Sequence, residues 1–290
     1  METTRADRGG SVHPLSSVPT SGPPGRSWSS ALDLSRVGYL LDHCIFDWPI
    51  LAGAAYLEIG LSLAPDDGFP AVEGVQFHQP LFLVPAARIE LSMRLDPSPA
   101  GASWSMASVS ADGEEALHAT GSVRSLSPAS LPGEALGEIR ERCPVRVSSE
   151  EHYGAVSRRG GEYGPAFRGV RVVWVGEGEA LGQVQLPEPA ARDAGAYRIH
   201  PALLDACLQV GTRSFAQPQG ARSRLWVPIR FESLALYRPP GTELWSHALS
   251  VPASSPGGAA TGEVRLMTGD GELVGAIKGI HAAGSKRPDG

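Results

Sequence analysis

Apolar side chains repeat with a helical period in two separate stretches of the chain. Between residues 53 and 64 they occupy nearly every side of the predicted helix, and only Glu58 and Ser62 form a narrow polar stripe. The stretch HPALLDACLQVG, residues 200–211, has the same character, with Pro201 in its first turn. A helix that is apolar on almost every side is buried, so we predict two buried helices.

Each predicted helix is followed by segments that alternate like β-strands. Asp-Gly pairs at Asp112 and Asp270 mark the hairpin turn before the last segment of each set. The segments are VEGVQFHQPLFLV, RIELSMRL, SWSMASVS and EALHATGSVRSL after the first helix, and VPIRFESLALYR, ELWSHALSV, EVRLMTG and ELVGAIKGI after the second. This repetition indicates an internal duplication: an α+β architecture of two fused units, each a long helix wrapped by an antiparallel sheet.

Composition suggests where these units begin and end. The predicted segments are a flexible lead-in at 1–30, an N-terminal unit at 31–124, a linker at 125–147, a C-terminal unit at 148–284 and a linker stub at 285–290. The first and third segments are rich in Pro, Ser and Gly, which disfavour regular structure. Such ends are typical of one domain within a longer polypeptide.

Charge and cysteine usage exclude several classes of function. The net charge is −6 and no basic cluster alternates with aromatic residues, which argues against a nucleic-acid partner. No apolar run approaches the roughly 20 residues that cross a bilayer, so we expect no membrane association and a cytoplasmic location. Cys44, Cys143 and Cys207 are far apart and lack metal-ligand spacing, so we expect reduced thiols.

Each half contributes one titratable residue at its predicted helix. His43 lies ten residues before the first helix, and Asp205 lies within the second, four residues before Gln209 on the same face. Taken singly, His43 fits a hydrogen-bonded core histidine and Asp205 an anion near a helix N-terminus. Together they favour a shared site between the halves, since a facing base and acid are what general acid–base catalysis requires.

Three stretches resemble motifs of the dehydratase domains of modular polyketide synthases. The first, HCIFDWPILAGAAYLE, begins at His43; the second, YGPAF, is intact at residues 163–167; the third, HPALLDACLQ, contains Asp205 and Gln209. The motifs keep the family's order, and the resemblance spans nearly the whole chain. It implies a double hot-dog fold.

The resemblance also implies roles for individual residues in a hydro-lyase. His43 would remove the α-proton of a β-hydroxyacyl thioester, and Asp205, protonated, would give a proton to the departing hydroxyl. Gly53, at the start of the first helix, would offer its N–H to the thioester carbonyl, where charge develops. The residues expected to position the substrate are Gln209, Tyr163, Gly53 and Pro165.

The first motif departs from the family pattern at two positions. Asp47 stands where the family has glycine, and Ala52 stands where it has proline. Loss of the proline removes a fixed φ near the helix start, and Asp47 adds a charge close to the base. The residues expected to line the pocket are Asp47, Trp48, Ala52 and Phe167.

The sequence leaves alternative reactions open. The enoyl product could undergo ring closure by a distal hydroxyl, giving an oxygen heterocycle (a pyran), or the site could isomerise a double bond. A silent module kept for dimer architecture and a hot-dog thioesterase are further alternatives. The retained His43 and Asp205 argue against the silent module, since an idle site has no need of a buried carboxylate.

The resemblance implies partners as well. The acyl chain would arrive on the phosphopantetheine arm of an acyl carrier protein, so no metal or diffusible cofactor is expected. Neighbouring synthase domains would be further partners. A homodimer is expected from the family and from the need to protect exposed sheet edges.

Overall fold

A computed structural model describes residues 13–15, 25–65, 68–85, 88–99, 101–127, 133–214, 225–251 and 260–285. The strands are β1 Arg26–Asp33, β2 His43–Ile45, β3 Trp48–Pro49, β4 Phe69–Phe77, β5 Arg88–Ser98, β6 Gly101–Val109, β7 Glu115–Leu126, β8 Val145–Ser148, β9 Gly161–Tyr163, β10 Val170–Val175, β11 Glu179–Gln185, β12 Leu225–Leu236, β13 Glu243–Val251, β14 Ala260–Met267 and β15 Leu273–Ser285. The α-helices are α1 Gly53–Ser62, α2 Leu136–Arg142, α3 Ser149–Ser157, α4 Glu188–Ala191 and α5 Pro201–Gly211, and 3₁₀ turns occur at Gly38–Asp42, Pro165–Phe167 and Ala194–Ala196.

Twelve of the described strands form one continuous antiparallel sheet. From edge to edge their order is β1-β5-β6-β7-β4-β12-β15-β14-β13-β11-β10-β8. Strands β4 and β12 pair at the centre, where Val75 lies opposite Phe231. A second, small sheet has the order β3-β2-β9 and lies where the first half meets the second.

The two halves of the large sheet repeat one arrangement. Outward from the centre, the first half reads β4, β7, β6, β5 and the second reads β12, β15, β14, β13. Strands β4 and β12 are each the next strand after a buried helix, α1 and α5. The predicted duplication and the α+β double hot-dog fold are therefore confirmed.

Both long helices are buried against the sheet, as their apolar pattern predicts. Ala54 and Leu57 of α1 and Leu203 and Leu204 of α5 are fully inaccessible to solvent. Burial of side chains of this size stabilises the fold by roughly 1.5–3 kcal/mol for each leucine. No helix in the described ranges combines the length and apolar character needed to span a membrane.

The polar stripe on α1 is buried too, because its polar atoms have partners inside the protein. The Glu58 carboxylate accepts hydrogen bonds from the backbone N–H groups of Arg198 (2.8 Å) and Ile199 (3.0 Å), and it contacts His13 Nε2 at 3.2 Å. Ser62 Oγ donates to the carbonyl of Ile59 within the helix. Glu58 thus ties α1 of the first half to the segment that leads into α5.

The structure departs from the predicted boundaries at three places. His13 and Leu15 are buried and β1 begins at Arg26, so part of the expected lead-in belongs to the folded unit. The expected linker contains the end of β7 and all of α2, whose Ile139 is fully buried beside Cys143. At the far end, β15 extends to Ser285. The predicted linker also contains the start of β8, and residues 1–12, 16–24, 128–132 and 286–290 of these three segments lie outside the described ranges.

Close packing between α5 and β11 predicts a sensitive glycine. A Cβ at Gly182 would overlap the Val210 side chain of α5, whereas nothing lies within 4 Å of a Cβ at Gly195. We expect Gly182→Ala to lower the free energy of unfolding by about 1–3 kcal/mol, because the helix must move off the sheet. Urea denaturation measures this, with Gly195→Ala as the matched control. Equal stability of the two variants would contradict the close approach.

Candidate active site

A two-residue hairpin places His43 in the small sheet. His43 begins β2, and β2 returns as β3 through Phe46 and Asp47, whose φ angles are 50° and 71°. Positive φ at both central residues is the geometry of a type I′ turn, whose twist matches that of paired strands. The return brings Ile50 back beside His43, where the Ile50 N–H donates to the His43 carbonyl at 3.1 Å.

The conformation of this turn explains the first motif departure. Asp47 occupies the second central position, where glycine is favoured because it adopts positive φ without a steric penalty. Aspartate is one of the few other residues that visit this region. The side chain is exposed, so Asp47 keeps the hairpin without entering the cavity. The pocket-lining role predicted for it is not supported.

The His43 ring has a fixed hydrogen-bond polarity. Its Nδ1 lies 3.1 Å from the carbonyl oxygen of Ile50. A carbonyl oxygen only accepts, so Nδ1 carries the proton and Nε2 keeps its lone pair. Nε2 lies 3.9 Å from Asp205 Oδ1. The side chain is therefore oriented as a base, with its free nitrogen towards the acid.

Asp205 is a buried carboxyl with one strong donor. Gln209, one turn further along α5, donates its Nε2–H to Asp205 Oδ2 at 2.7 Å. This contact is the one that the helical spacing predicts. Burial raises the pKa of Asp205, and the effect outweighs the opposing influences of His43 and the Gln209 hydrogen bond. A raised pKa suits a carboxyl that has to hold a proton before giving it away.

Tyr153 of α3 contacts Gln209 on the side away from Asp205. It is a site residue that the sequence does not predict. Its hydroxyl donates to Gln209 Oε1 at 3.0 Å and accepts from the Val170 N–H at 2.9 Å. Gln209 Nε2 donates a second hydrogen bond, to the carbonyl of Phe167 at 3.1 Å. No periodicity or motif signals such contacts, which join residues far apart in sequence.

The second motif packs directly on the segment that carries His43. Tyr163 in β9 pairs with His43 in β2, and their ring centroids are 5.5 Å apart. Asp42 holds the rest of the motif, because its carboxylate accepts the Ala166 N–H at 2.8 Å and its carbonyl accepts the Gly164 N–H at 2.7 Å. A Cβ at Gly164 would overlap the Asp42 side chain, which accounts for glycine there. Asp42 is the second site residue that sequence reasoning missed.

One cavity of about 490 Å³ joins the groups contributed by both halves. Its wall contains five of the residues chosen from the sequence: His43, Gly53, Tyr163, Asp205 and Gln209. The rest is mainly apolar and includes Ile45, Leu51, Phe77, Leu208, Val227, Pro228 and Ile280. This composition suits an acyl chain that presents one polar end to the acid and base.

Gly53 and Tyr163 each bring a donor to this wall. Gly53 is the first residue of α1, so its N–H has no acceptor within the helix. A Cβ there would come within 3.3 Å of the Phe77 ring, so glycine also keeps the approach open. Burial and the nearby Asp205 raise the pKa of Tyr163 well above its usual value, so its hydroxyl stays protonated.

Four other residues chosen from the sequence lie outside the cavity wall. Trp48 is 62% exposed and packs edge-on against Phe82. Ala52 is buried as the residue before α1, and its φ of −60° is one that proline would impose. Phe167 is fully buried beneath His43, with ring centroids 5.3 Å apart, and Pro165 is exposed. Trp48, Ala52, Phe167 and Pro165 thus do not line the pocket.

Two family models together match most of the chain. One, described as "Polyketide synthase dehydratase N-terminal domain", matches residues 132–287. The other, described as "Polyketide synthase dehydratase domain", matches residues 13–110. Each of the two fused units therefore has its own family match.

Curated relatives are much longer proteins. The spectinabilin polyketide synthase system protein NorA' of Streptomyces orinoci is 33% identical over 217 residues, which is 71% of this chain and 6% of that protein. Erythronolide synthase EryA2 of Saccharopolyspora erythraea is 25% identical over 287 residues, which is 93% of this chain and 7% of that protein. The chain thus spans only a small part of the curated relatives it matches.

Solved structures share the fold over nearly the full length. The dehydratase domain from the CurJ module of curacin polyketide synthase aligns with a TM-score of 0.83 at 23% identity, covering 95% of this chain and 98% of that one. The dehydratase domain from the CurK module aligns with a TM-score of 0.82 at 24% identity, covering 96% and 100%.

The turn conformation predicts how the chain responds to substitution at Asp47. Alanine is strained at positive φ, whereas glycine is not. We expect Asp47→Gly to be more stable than Asp47→Ala by about 1 kcal/mol. Thermal denaturation of the two variants measures the difference. A more stable alanine variant would show that the turn does not hold positive φ.

A buried histidine at the start of α5 predicts a pH dependence of stability. His200 Nδ1 accepts the Ala202 N–H at 3.1 Å, and burial lowers the His200 pKa to about 4. Between pH 6.5 and 4 the unfolded chain binds a proton there that the folded chain does not. Folding stability therefore falls as pH falls through this window, by about 1.4 kcal/mol per pH unit at most.

His200→Asn tests this dependence, because asparagine also caps a helix but does not titrate. We expect the slope of unfolding free energy against pH between 6.5 and 4.5 to be smaller in the variant. Urea denaturation at several pH values provides the slope. Identical slopes in both proteins would contradict a neutral His200.

Proposed function

Because the chain belongs to the polyketide synthase dehydratase family, we propose that it removes water from a β-hydroxyacyl thioester to give an α,β-enoyl thioester. The observation that carries this proposal is the His43–Asp205 pair. The two side chains come from different halves, share one cavity and place Nε2 and Oδ1 3.9 Å apart. A base for the α-proton and an acid for the departing β-hydroxyl, side by side in one cavity, are what this elimination needs.

The proposed step begins at His43. Its Nε2 takes the α-proton of the thioester, and the electron pair of that C–H bond forms the new double bond. Negative charge grows on the thioester oxygen during this transfer, and the Gly53 N–H is the donor that we assign to it. The fixed Nδ1 hydrogen bond to Ile50 stabilises the imidazolium that results.

Asp205 completes the step. As the C–O bond at the β-carbon breaks, the hydroxyl leaves with the Asp205 proton as water. His43 then holds one proton more and Asp205 one fewer than at the start. The water that is released can bridge the 3.9 Å between Nε2 and Oδ1, so that a proton returns through it from His43 to Asp205 and resets the site. We assign Tyr163 and Gln209 to orientation of the β-oxygen and of Asp205.

Substrate delivery follows from the same proposal. The acyl chain arrives on the phosphopantetheine arm of an acyl carrier protein, and neighbouring domains of a cytoplasmic synthase supply and remove it. The step as written uses no metal and no diffusible cofactor. Homodimerisation, also proposed, would cover exposed sheet edges.

The cyclase and isomerase alternatives receive no specific support. The sequence features that suggest them are Asp47 and Ala52. Both residues keep the backbone conformations that the family's glycine and proline favour. Neither side chain lines the cavity. We therefore propose dehydration alone.

Mass spectrometry of the product tests the reaction. The purified chain is incubated with a synthetic β-hydroxyacyl pantetheine thioester that also carries a distal hydroxyl. We expect loss of one water and a conjugated enoyl absorbance. His43→Ala and Asp205→Asn should each lower the rate by about 10²- to 10⁴-fold.

A control variant and four contrary outcomes sharpen this test. His281 contacts Glu232 at 3.1 Å and not the His43–Asp205 pair. His281→Ala should therefore retain the wild-type rate. Loss of water without enoyl absorbance would point to ring closure. Release of the free acid would point to a thioesterase. No turnover, or turnover unchanged in both site variants, would remove the assignment.

A further inference from the structure

A chain of buried hydrogen bonds leads from the protein backbone to the Asp205 carboxyl. The Val170 N–H donates to the Tyr153 oxygen. The Tyr153 O–H donates to Gln209 Oε1 at 3.0 Å, the nearer of its two acceptors; the other, the Phe167 carbonyl oxygen, lies at 3.3 Å. Gln209 Nε2–H then donates to Asp205 Oδ2 at 2.7 Å. A backbone amide can only donate, so the chain begins from a group whose direction cannot reverse.

The Gln209 amide has one orientation that satisfies all its neighbours. Its Nε2 faces two acceptors, the Phe167 carbonyl and Asp205 Oδ2, and its Oε1 faces the Tyr153 hydroxyl. A flipped amide would set its oxygen against the Phe167 carbonyl, which can only accept, and would remove the N–H that Asp205 Oδ2 accepts. Leaving buried groups unpaired in this way costs about 1–3 kcal/mol for each group. The amide therefore presents an N–H to Asp205.

This orientation distinguishes the two carboxyl oxygens. Oδ2 is occupied by an N–H donor, so a proton on Oδ2 would compete with that hydrogen bond. Oδ1 faces His43 Nε2 at 3.9 Å. The oxygen that faces the base is thus the one on which a transferable proton is stable.

We propose that Tyr153 is a positioning residue: acting through Gln209, it keeps Oδ2 of Asp205 occupied and leaves the proton on Oδ1, facing the cavity. This inference rests on the proposed function. Tyr153 is 7% exposed and is not part of the cavity wall, so it acts without touching the substrate. Burial raises its pKa, so its hydroxyl remains a donor throughout the working pH range.

The surroundings of Tyr153 hold its ring in place. It packs edge-on against His152 and Tyr163, with ring centroids 5.0 and 6.0 Å apart. The guanidinium of Arg168 lies over its face at 5.5 Å from the centroid. Replacement by phenylalanine preserves these ring contacts and removes only the hydroxyl, with its hydrogen bonds to Gln209, Val170 and Phe167. A double-mutant cycle with Gln209 separates the Gln209 contribution from the other two.

Steady-state kinetics of Tyr153→Phe on the pantetheine thioester test the proposal. We expect kcat to fall by about tenfold with KM nearly unchanged, because the acid is misoriented while the binding surface is intact. Asp205 also loses a well-placed donor to its ionised form, so its pKa should rise. Activity needs protonated Asp205, so the alkaline limb of the pH–rate profile should move to higher pH.

Tyr197→Phe is the matched control for loss of a buried hydroxyl. Tyr197 is hydrogen-bonded to Tyr39 at 3.1 Å, and neither is connected to Asp205 by a described hydrogen bond. The control should lose stability without a change in kcat or in the pH profile. If Tyr153→Phe behaves in the same way, its role is structural and the proposal fails.

A double-mutant cycle shows whether Tyr153 works through Gln209. In a Gln209→Leu background the additional effect of Tyr153→Phe on kcat should largely disappear, because the amide it orients is absent. Fully additive effects would overturn the proposal. Asp205→Asn separates failure of the proposed function from failure of the Tyr153 inference. If Asp205→Asn abolishes dehydration while Tyr153→Phe changes nothing, only the Tyr153 inference fails. If Asp205→Asn leaves the rate unchanged, the proposed function fails as well.

Discussion

The architecture depends on a carboxylate buried between its two halves. Glu58 of α1 accepts hydrogen bonds from two backbone N–H groups of the segment before α5 and contacts His13, so a carboxylate in the middle of one helix is paired with the other half of the molecule. Removing one of these partners would leave a buried charge uncompensated, which lowers the free energy of unfolding by about 3–5 kcal/mol. Together with the β4–β12 pairing, this joint sets the relative position of α1 and α5.

Two buried carboxyls, Glu58 and Asp205, show how different partners give similar groups different roles. Burial raises the pKa of both. In Glu58 both oxygens accept hydrogen bonds from fixed groups, so the side chain serves as a structural connector. In Asp205 only Oδ2 is held, by Gln209, and Oδ1 faces His43 across the cavity. A carboxyl with one oxygen fixed and one directed at a base is suited to move a proton.

The sequence predicts what depends on periodicity and on short motifs. Apolar periodicity located both helices and most strands, and the match between their two sets indicated the duplication. Helical spacing also placed Gln209 beside Asp205. The sequence does not predict Tyr153 and Asp42 as site residues, because their contacts join residues far apart in sequence and leave no local pattern. Sequence proximity to His43 predicts that Trp48 lines the pocket, but its side chain is directed to solvent and is 62% exposed. The turn itself, Phe46-Asp47, lacks the Asn-Gly signal of such hairpins.

The motif departures illustrate why backbone geometry can persist when its usual residues are replaced. Glycine and proline at the positions of Asp47 and Ala52 would favour the observed φ angles through their intrinsic preferences. At the Asp47 turn the angle is held by strand pairing: the Ile50 N–H donates to the His43 carbonyl, and the Ile50 carbonyl accepts a hydrogen bond from His43 Nδ1. The orientation of the base is therefore set by two hydrogen bonds to one residue. The replaced residues change the conformational freedom of the unfolded chain more than the geometry of the site.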